Sequence, residues 1–176
     1  MSDITTLKVQ RDTKAKIEDV LPHFLDGAVL ESAWSFVTFL RLEKMNPIWA
    51  GVHNAWRANN KGKALFYIRL GKEWIRNTEN VKWVIILYLN NMDSYAEKII
   101  SEGWQNIVWD DLHYCRKPNC PYGCNLGKIN TILGKEFFNL CPTFINKVNF
   151  VNPGEKELKI IKKLIEFERE ARGCKR

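Results

Sequence analysis

No apolar run in this 176-residue chain is long enough to cross a bilayer. The longest, Trp83–Leu89, has seven residues, against the roughly 20 that a spanning helix needs. Met1–Gln10 carries no apolar stretch flanked by basic residues, so no secretory leader and no membrane partner are expected, and a cytoplasmic, reducing setting is. Cysteine is sparse: five residues are too few for a disulfide scaffold of this length. G-x-S-x-G, G-x-G-x-x-G, the P-loop and H-E-x-x-H are all missing, and with them the common signatures of catalysis and nucleotide binding. His23 and His53 stand alone in sequence. There is no internal repeat and no low-complexity segment.

What is present is the composition of an ordinary globular domain. Apolar residues make up 45%, charged residues 27% and aromatics 12%, with seven Trp, enough to build a substantial core and to exclude a disordered or collagen-like chain. The net charge of +7 is uneven. Residues 1–50 sum to −1, 51–90 to +5, 91–125 to −2 and 126–176 to +5. The last basic stretch interleaves Lys with Glu along one helix, which is the pattern of a solvated face.

Periodicity gives the elements. Residues 1–12 read as frayed. Helical spacing runs from Thr13 through Ile17, Val20, Leu21, Phe24 and Leu25, with Pro22 inside it. A second helix is predicted over about Leu30 to Met45, with Trp34, Val37, Phe39, Leu40 and Leu42 inward, ended by Asn46-Pro47. The pattern then turns extended: Ile48–Arg57, a turn at Asn59–Gly62, a strand over Lys63–Leu70 and a strand over Lys82–Leu89. On Lys63–Leu70, alternation puts Leu65, Tyr67 and Arg69 on one face and Phe66, Ile68 and Leu70 on the other. A short helix follows at Asp93–Glu102, with Ser94 and Glu97 at capping-box spacing and Gly103 as its stop. Trp104–Leu112 fits neither period clearly. Gly134-Lys135 reads as a type II′ hairpin loop between two short strands, and Thr143–Phe150 as a further strand. Asn152 as cap, Pro153 and the stripe Leu158, Ile161, Leu164, Ile165 and Phe167 define a C-terminal amphipathic helix. The expected class is α+β, an antiparallel sheet packed with flanking helices and a Cys-rich loop. The expected division is an N-terminal helical segment over 1–46 and an α+β domain over 47–176.

Four of the five cysteines fall within 27 residues. Cys115, Cys120, Cys124 and Cys141 are spaced C-x4-C-x3-C-x16-C, and four thiolates can close a tetrahedral zinc site. Pro118, Pro121, Gly123 and Gly127 favour a compact loop, and from Arg116 to Lys128 only Leu126 is aliphatic. Such a loop has little apolar area with which to order itself, and a structural zinc ion would supply the missing energy. His113 is an alternative fourth ligand. Unligated thiols, an iron–sulfur cluster or a regulatory disulfide are the other readings of the same residues. Cys174, in the charged C-terminal stretch, reads as a bystander.

Two further groups carry chemistry. Trp49, Trp56, Tyr67 and Arg69, with Trp83, come from the predicted hairpin and sheet, where an aromatic surface with an arginine could bind a planar or anionic small molecule; packing into the core is the alternative. Asp110, Asp111 and His113 form a polar group that fits either acid–base work or helix capping.

His-Tyr-Cys at 113–115, Cys120, Cys124, Thr131–Phe137 (T-I-L-G-K-E-F) and Cys141 resemble the motifs of an uncharacterised family of small bacterial proteins. That resemblance extends to Lys61-Gly62-Lys63, the Tyr67–Leu70 strand and Asn152-Pro153, and so covers roughly residues 47–170. It implies a shared cysteine loop, hairpin and closing helix, and no assigned activity. Taken together, the sequence predicts a non-catalytic, metal-stabilised domain that binds a small molecule or a protein. A nucleic-acid-binding module using Arg57, Lys61, Lys63 and Arg69, or a thiol-based redox protein, are the alternatives.

Overall fold

The structure is a computed structural model and describes residues 3–71, 80–114 and 128–173. The class is α+β, and the chain divides into two compact units: Met1–Leu87 with Asn149–Glu166, and Tyr88–Val148 with Phe167–Arg176. Residues 3–46 and the strands that follow them as far as Leu87 fall in the first of these units.

The first unit opens on three helices: α1 (Leu7–Thr13), α2 (Ile17–Phe24) and α3 (Gly27–Leu42). The expectation of a frayed start is corrected by α1. Thr6 caps it by accepting from the Val9 amide, and Lys14 closes it in the left-handed region. The completely buried Gln10 then holds α1 in place. Its Nε2 donates to Asn54 Oδ1 at 2.6 Å while its Oε1 accepts from the Asn54 amide at 2.9 Å. Helix α3 starts and stops three residues before the predicted span. It buries Ala33, Phe36, Val37 and Leu40, whereas Leu42, expected inward, is 77% exposed. Arg41 ties α3 to α2 through a two-pronged contact with Glu18.

An antiparallel sheet of five strands follows the order β1-β2-β3-β4-β7, with β1 Ile48–Trp49, β2 Ala55–Asn60, β3 Lys63–Leu70, β4 Trp83–Tyr88 and β7 Lys147–Val151. Lys61 and Gly62 join β2 to β3 with φ of 49° and 77°, the two positive values of a type I′ turn, whose twist matches that of the strands. Register then sorts the faces. Trp56, Ala58, Phe66, Ile68, Leu70, Trp83 and Ile85 point one way, all buried, and Phe36 of α3 packs against Phe66 and Trp83 at 6.0 and 6.4 Å between ring centroids.

Helix α6 (Glu155–Ala171) keeps the predicted stripe, with Leu158, Ile161, Leu164 and Ile165 buried. Its start differs from expectation. The first helical bond runs from the Leu158 amide to the Gly154 carbonyl, and Glu157 reaches back to the Gly154 amide at 3.1 Å. Gly154 is therefore the cap and Glu157 the returning carboxylate of the capping pair. Asn152 instead accepts from the Lys82 and Trp83 amides and donates to the Asn80 carbonyl.

In the second unit a 3-10 turn (Met92–Tyr95) leads into α4 (Ala96–Ser101), and α5 (Gln105–Asp110) resolves the ambiguous Trp104 stretch as helix. Ser94 does not form the predicted capping box; its hydroxyl donates to the Asn91 carbonyl. Strands β5 (Ile129–Ile132) and β6 (Lys135–Phe138) form a separate two-stranded hairpin. Ile132 pairs with Lys135, so the loop residues are Leu133 and Gly134, with φ of 50° and 80°, a type I′ turn in place of the expected II′. Trp109 closes α5 onto the hairpin, donating to the Ile132 carbonyl at 2.9 Å. The centre of this unit is Glu168, completely buried, which accepts from Tyr95 Oη (2.7 Å), Arg172 Nε (2.8 Å), Asn91 Nδ2 (2.8 Å) and the Asn91 amide (3.1 Å).

Candidate functional site

Of the predicted metal ligands, Cys115, Cys120 and Cys124 lie outside the described residues, as does Cys174. Cys141 is buried, just beyond the end of β6 at Phe138. The backbone around it is informative. Tyr114, the last described residue before the cysteine segment, bridges Leu140 in antiparallel fashion, and the Cys141 amide donates to the His113 carbonyl at 2.8 Å. Lys128, the first described residue after that segment, accepts from the Asn139 amide at 3.1 Å through its carbonyl. Both stems of the segment therefore converge on Asn139-Leu140-Cys141. Asn139 adopts φ of 59°, which Asn tolerates and which breaks the strand alternation at this point.

His113 is opposite Cys141. Its ring stacks on Phe144 at 5.1 Å, and its Nδ1 lies 2.9 Å from the Asp111 carbonyl. A carbonyl only accepts, so Nδ1 is the donor in that hydrogen bond, and in the neutral ring Nε2 then carries the lone pair. This is the arrangement in which a histidine with a fixed ring presents its second nitrogen to a metal. Asp111 thus contributes its backbone to His113, and Asp110 is exposed at the end of α5. Among the described residues no three metal-ligating side chains meet.

The predicted aromatic surface divides between the two faces of the sheet. Trp56 is a core residue, completely buried, its indole N–H donating to the Ala15 carbonyl at 2.8 Å. Trp49 pairs with it in register, on the same face, with the Lys14 ammonium 4.9 Å from its ring. Tyr67 and Arg69 are on the other face, half-buried, with the Arg69 guanidinium 5.7 Å from the Tyr67 ring centroid. Only Tyr67 and Arg69 of the four can share a surface. Arg57 joins them, since it lies opposite Tyr67 in the β2–β3 register. Lys61 and Lys63 flank the hairpin tip and are exposed.

Two clefts were not legible in the sequence. One, of about 610 Å³, runs between the start of α3 and the start of α6, where Glu31 and Glu155 offset Lys159 and Lys162. The other, of about 410 Å³, is lined by polar side chains of Asn90, Asp93, Asn130, Thr131 and Asn146. Each brings together short runs far apart in sequence, residues 28–35 with 152–162 in the first and 89–93 with 129–132 and 145–146 in the second, and it is the juxtaposition of the runs that the sequence does not show.

No family model matches this chain, and no curated protein and no solved structure is significantly similar to it. No helix among the described residues is long and apolar enough to cross a membrane.

Proposed function

We propose that this chain is a non-catalytic binding domain whose cysteine loop is held by a structural zinc ion, and whose second sheet face takes a small-molecule or protein partner. The observation that supports the metal half is the convergence of both loop stems on Asn139–Cys141. Cys141 is held at the point where the cysteine-bearing segment leaves and returns, and one peptide bond carries the chain from Tyr114 to Cys115. In this reading Cys115, Cys120, Cys124 and Cys141 supply the thiolates, or His113 Nε2 replaces one of them. Zinc would contribute about 10–16 kcal/mol of apparent binding energy towards ordering a short loop poor in apolar side chains. A cytoplasmic, reducing setting fits ligated thiolates better than a disulfide.

Metal analysis of protein purified without added zinc tests this. One zinc per chain, removed by a chelator with a fall in melting temperature, supports the reading; a metal-free, fully folded protein with reactive thiols refutes it. An iron–sulfur cluster would declare itself by visible absorption. The nucleic-acid reading draws on Arg57, Lys61, Lys63 and Arg69, which all lie on or beside the β2–β3 hairpin. Binding of single strands that barely changes with salt would argue against it, because phosphate contacts release counterions. The redox reading needs an accessible, activated thiol; uniformly slow alkylation of metal-free protein would argue against that.

A further inference from the structure

Two arginine side chains of this fold are held firmly by carboxylates. Arg41 grips Glu18 with two nitrogens, and Arg172 meets Glu168. Arg57 is different. It is half-buried, its Nε is out of contact with solvent, and among the described residues that Nε has no hydrogen-bond acceptor and the side chain forms no ion pair. Strands β1 to β4, among which it lies, contain no acidic residue. A guanidinium drawn partly out of water with an unmet donor is under-satisfied, and a planar carboxylate or a phosphate matches its fork of donors.

The neighbours define what else such a ligand would meet. Tyr67 is directly across the strand pair from Arg57, and Ile86 is across from Tyr67 on β4. Arg69, two residues along the same face, lies 5.7 Å from the Tyr67 ring and adds to the positive potential. The face therefore presents an anion-binding fork beside a flat aromatic and aliphatic floor.

We infer that Arg57 is the anion-binding residue of a surface for a small planar aromatic anion, whose carboxylate or phosphate meets the guanidinium while its ring lies against Tyr67. This rests on the binding half of the proposed function and is independent of the metal half.

Calorimetric titration of the full chain tests it, with adenosine 5′-monophosphate as the aromatic phosphate and 2-naphthoate as the aromatic carboxylate. Adenosine and inorganic phosphate serve as the half-probes. At least one aromatic anion is expected to bind with Kd below about 10 mM, and the half-probes about tenfold more weakly or worse. Arg57→Gln is expected to weaken binding about tenfold or more, and Arg57→Lys to restore only part of it, since an ammonium keeps the charge and loses the fork. Because Arg57 forms no ion pair among the described residues, both variants should keep the wild-type melting temperature. Tyr67→Leu should weaken the aromatic anions and leave inorganic phosphate unchanged. The inference is overturned if neither aromatic anion binds, if Arg57→Gln binds as wild type does, or if a single-stranded oligonucleotide binds with steep salt dependence while both small anions do not. Zinc content is measured on the same samples. Absent anion binding in zinc-loaded protein sinks this inference alone, and anion binding in zinc-free protein sinks only the metal half.

Discussion

Removing the Glu168 carboxylate should be among the most damaging single changes in the second unit. Glu168 is completely buried, and it accepts from the Tyr95 hydroxyl, both nitrogens of Asn91 and the Arg172 guanidinium over 2.7–3.1 Å. The Arg172 side chain is itself only 7% exposed. In Glu168→Ala the guanidinium loses this carboxylate, and three neutral donors lose their acceptor. Breaking a buried pair from one side costs about 3–5 kcal/mol, chiefly because an uncompensated charge is left behind. For a chain of this size that corresponds to a fall of about 6–20 °C in melting temperature. Urea unfolding followed by circular dichroism gives the free energy directly. A double-mutant cycle with Arg172→Met isolates the pair. The double variant should be less destabilised than the two single losses added together, by about 0.5–3 kcal/mol. A Glu168→Ala protein that melts within 2 °C of wild type would refute the reasoning.

Burial and the adjacent Glu168 carboxylate raise the Tyr95 phenol above its ordinary value of 10.0. The folded state then holds that proton at pH values where the unfolded chain releases it, so its contribution is complete below pH 10 and declines above it. Stability should fall by about 1.4 kcal/mol per pH unit above that point from this group, and the difference in slope between wild type and Tyr95→Phe, read by alkaline urea titration, should show it; equal slopes would contradict the assignment. Asn152 has φ of 47° and uses its side chain on Asn80, Lys82 and Trp83. Asn152→Ala should cost about 2–3 kcal/mol, and Asn152→Gly, which loses the same hydrogen bonds but adopts positive φ without strain, should cost less than Asn152→Ala in chemical denaturation. Gln10→Ala leaves the Asn54 amide and carbonyl oxygen unmet in the core and should cost about 1–3 kcal/mol; a neutral result would show that α1 is not fastened through this pair.

The sequence by itself determined the elements whose periodicity is strong and local. The Lys63–Leu70 strand, its two faces, the apolar β4 run and the stripe of α6 follow from side-chain alternation, which depends on nothing beyond the segment. The α+β class and the antiparallel hairpins follow from turns too short to permit a crossover. Local rules failed where a distant partner made a better offer. Asn152 leaves the helix start because three backbone groups of residues 80–83 use its amide, and residues 7–13 become helix because Gln10 finds Asn54, 44 positions away. The site divides in the same way. Cysteine spacing shows that four thiols are close along the chain; that the loop stems meet at Cys141 is a matter of pairing between residues 113–114, 128 and 139–141. Residue type alone could not separate Trp56 from Tyr67, because both are aromatic and both lie on strands. Only the register, which gives Trp56 to the core and sets Tyr67 beside Arg57, decided which of them a ligand could reach.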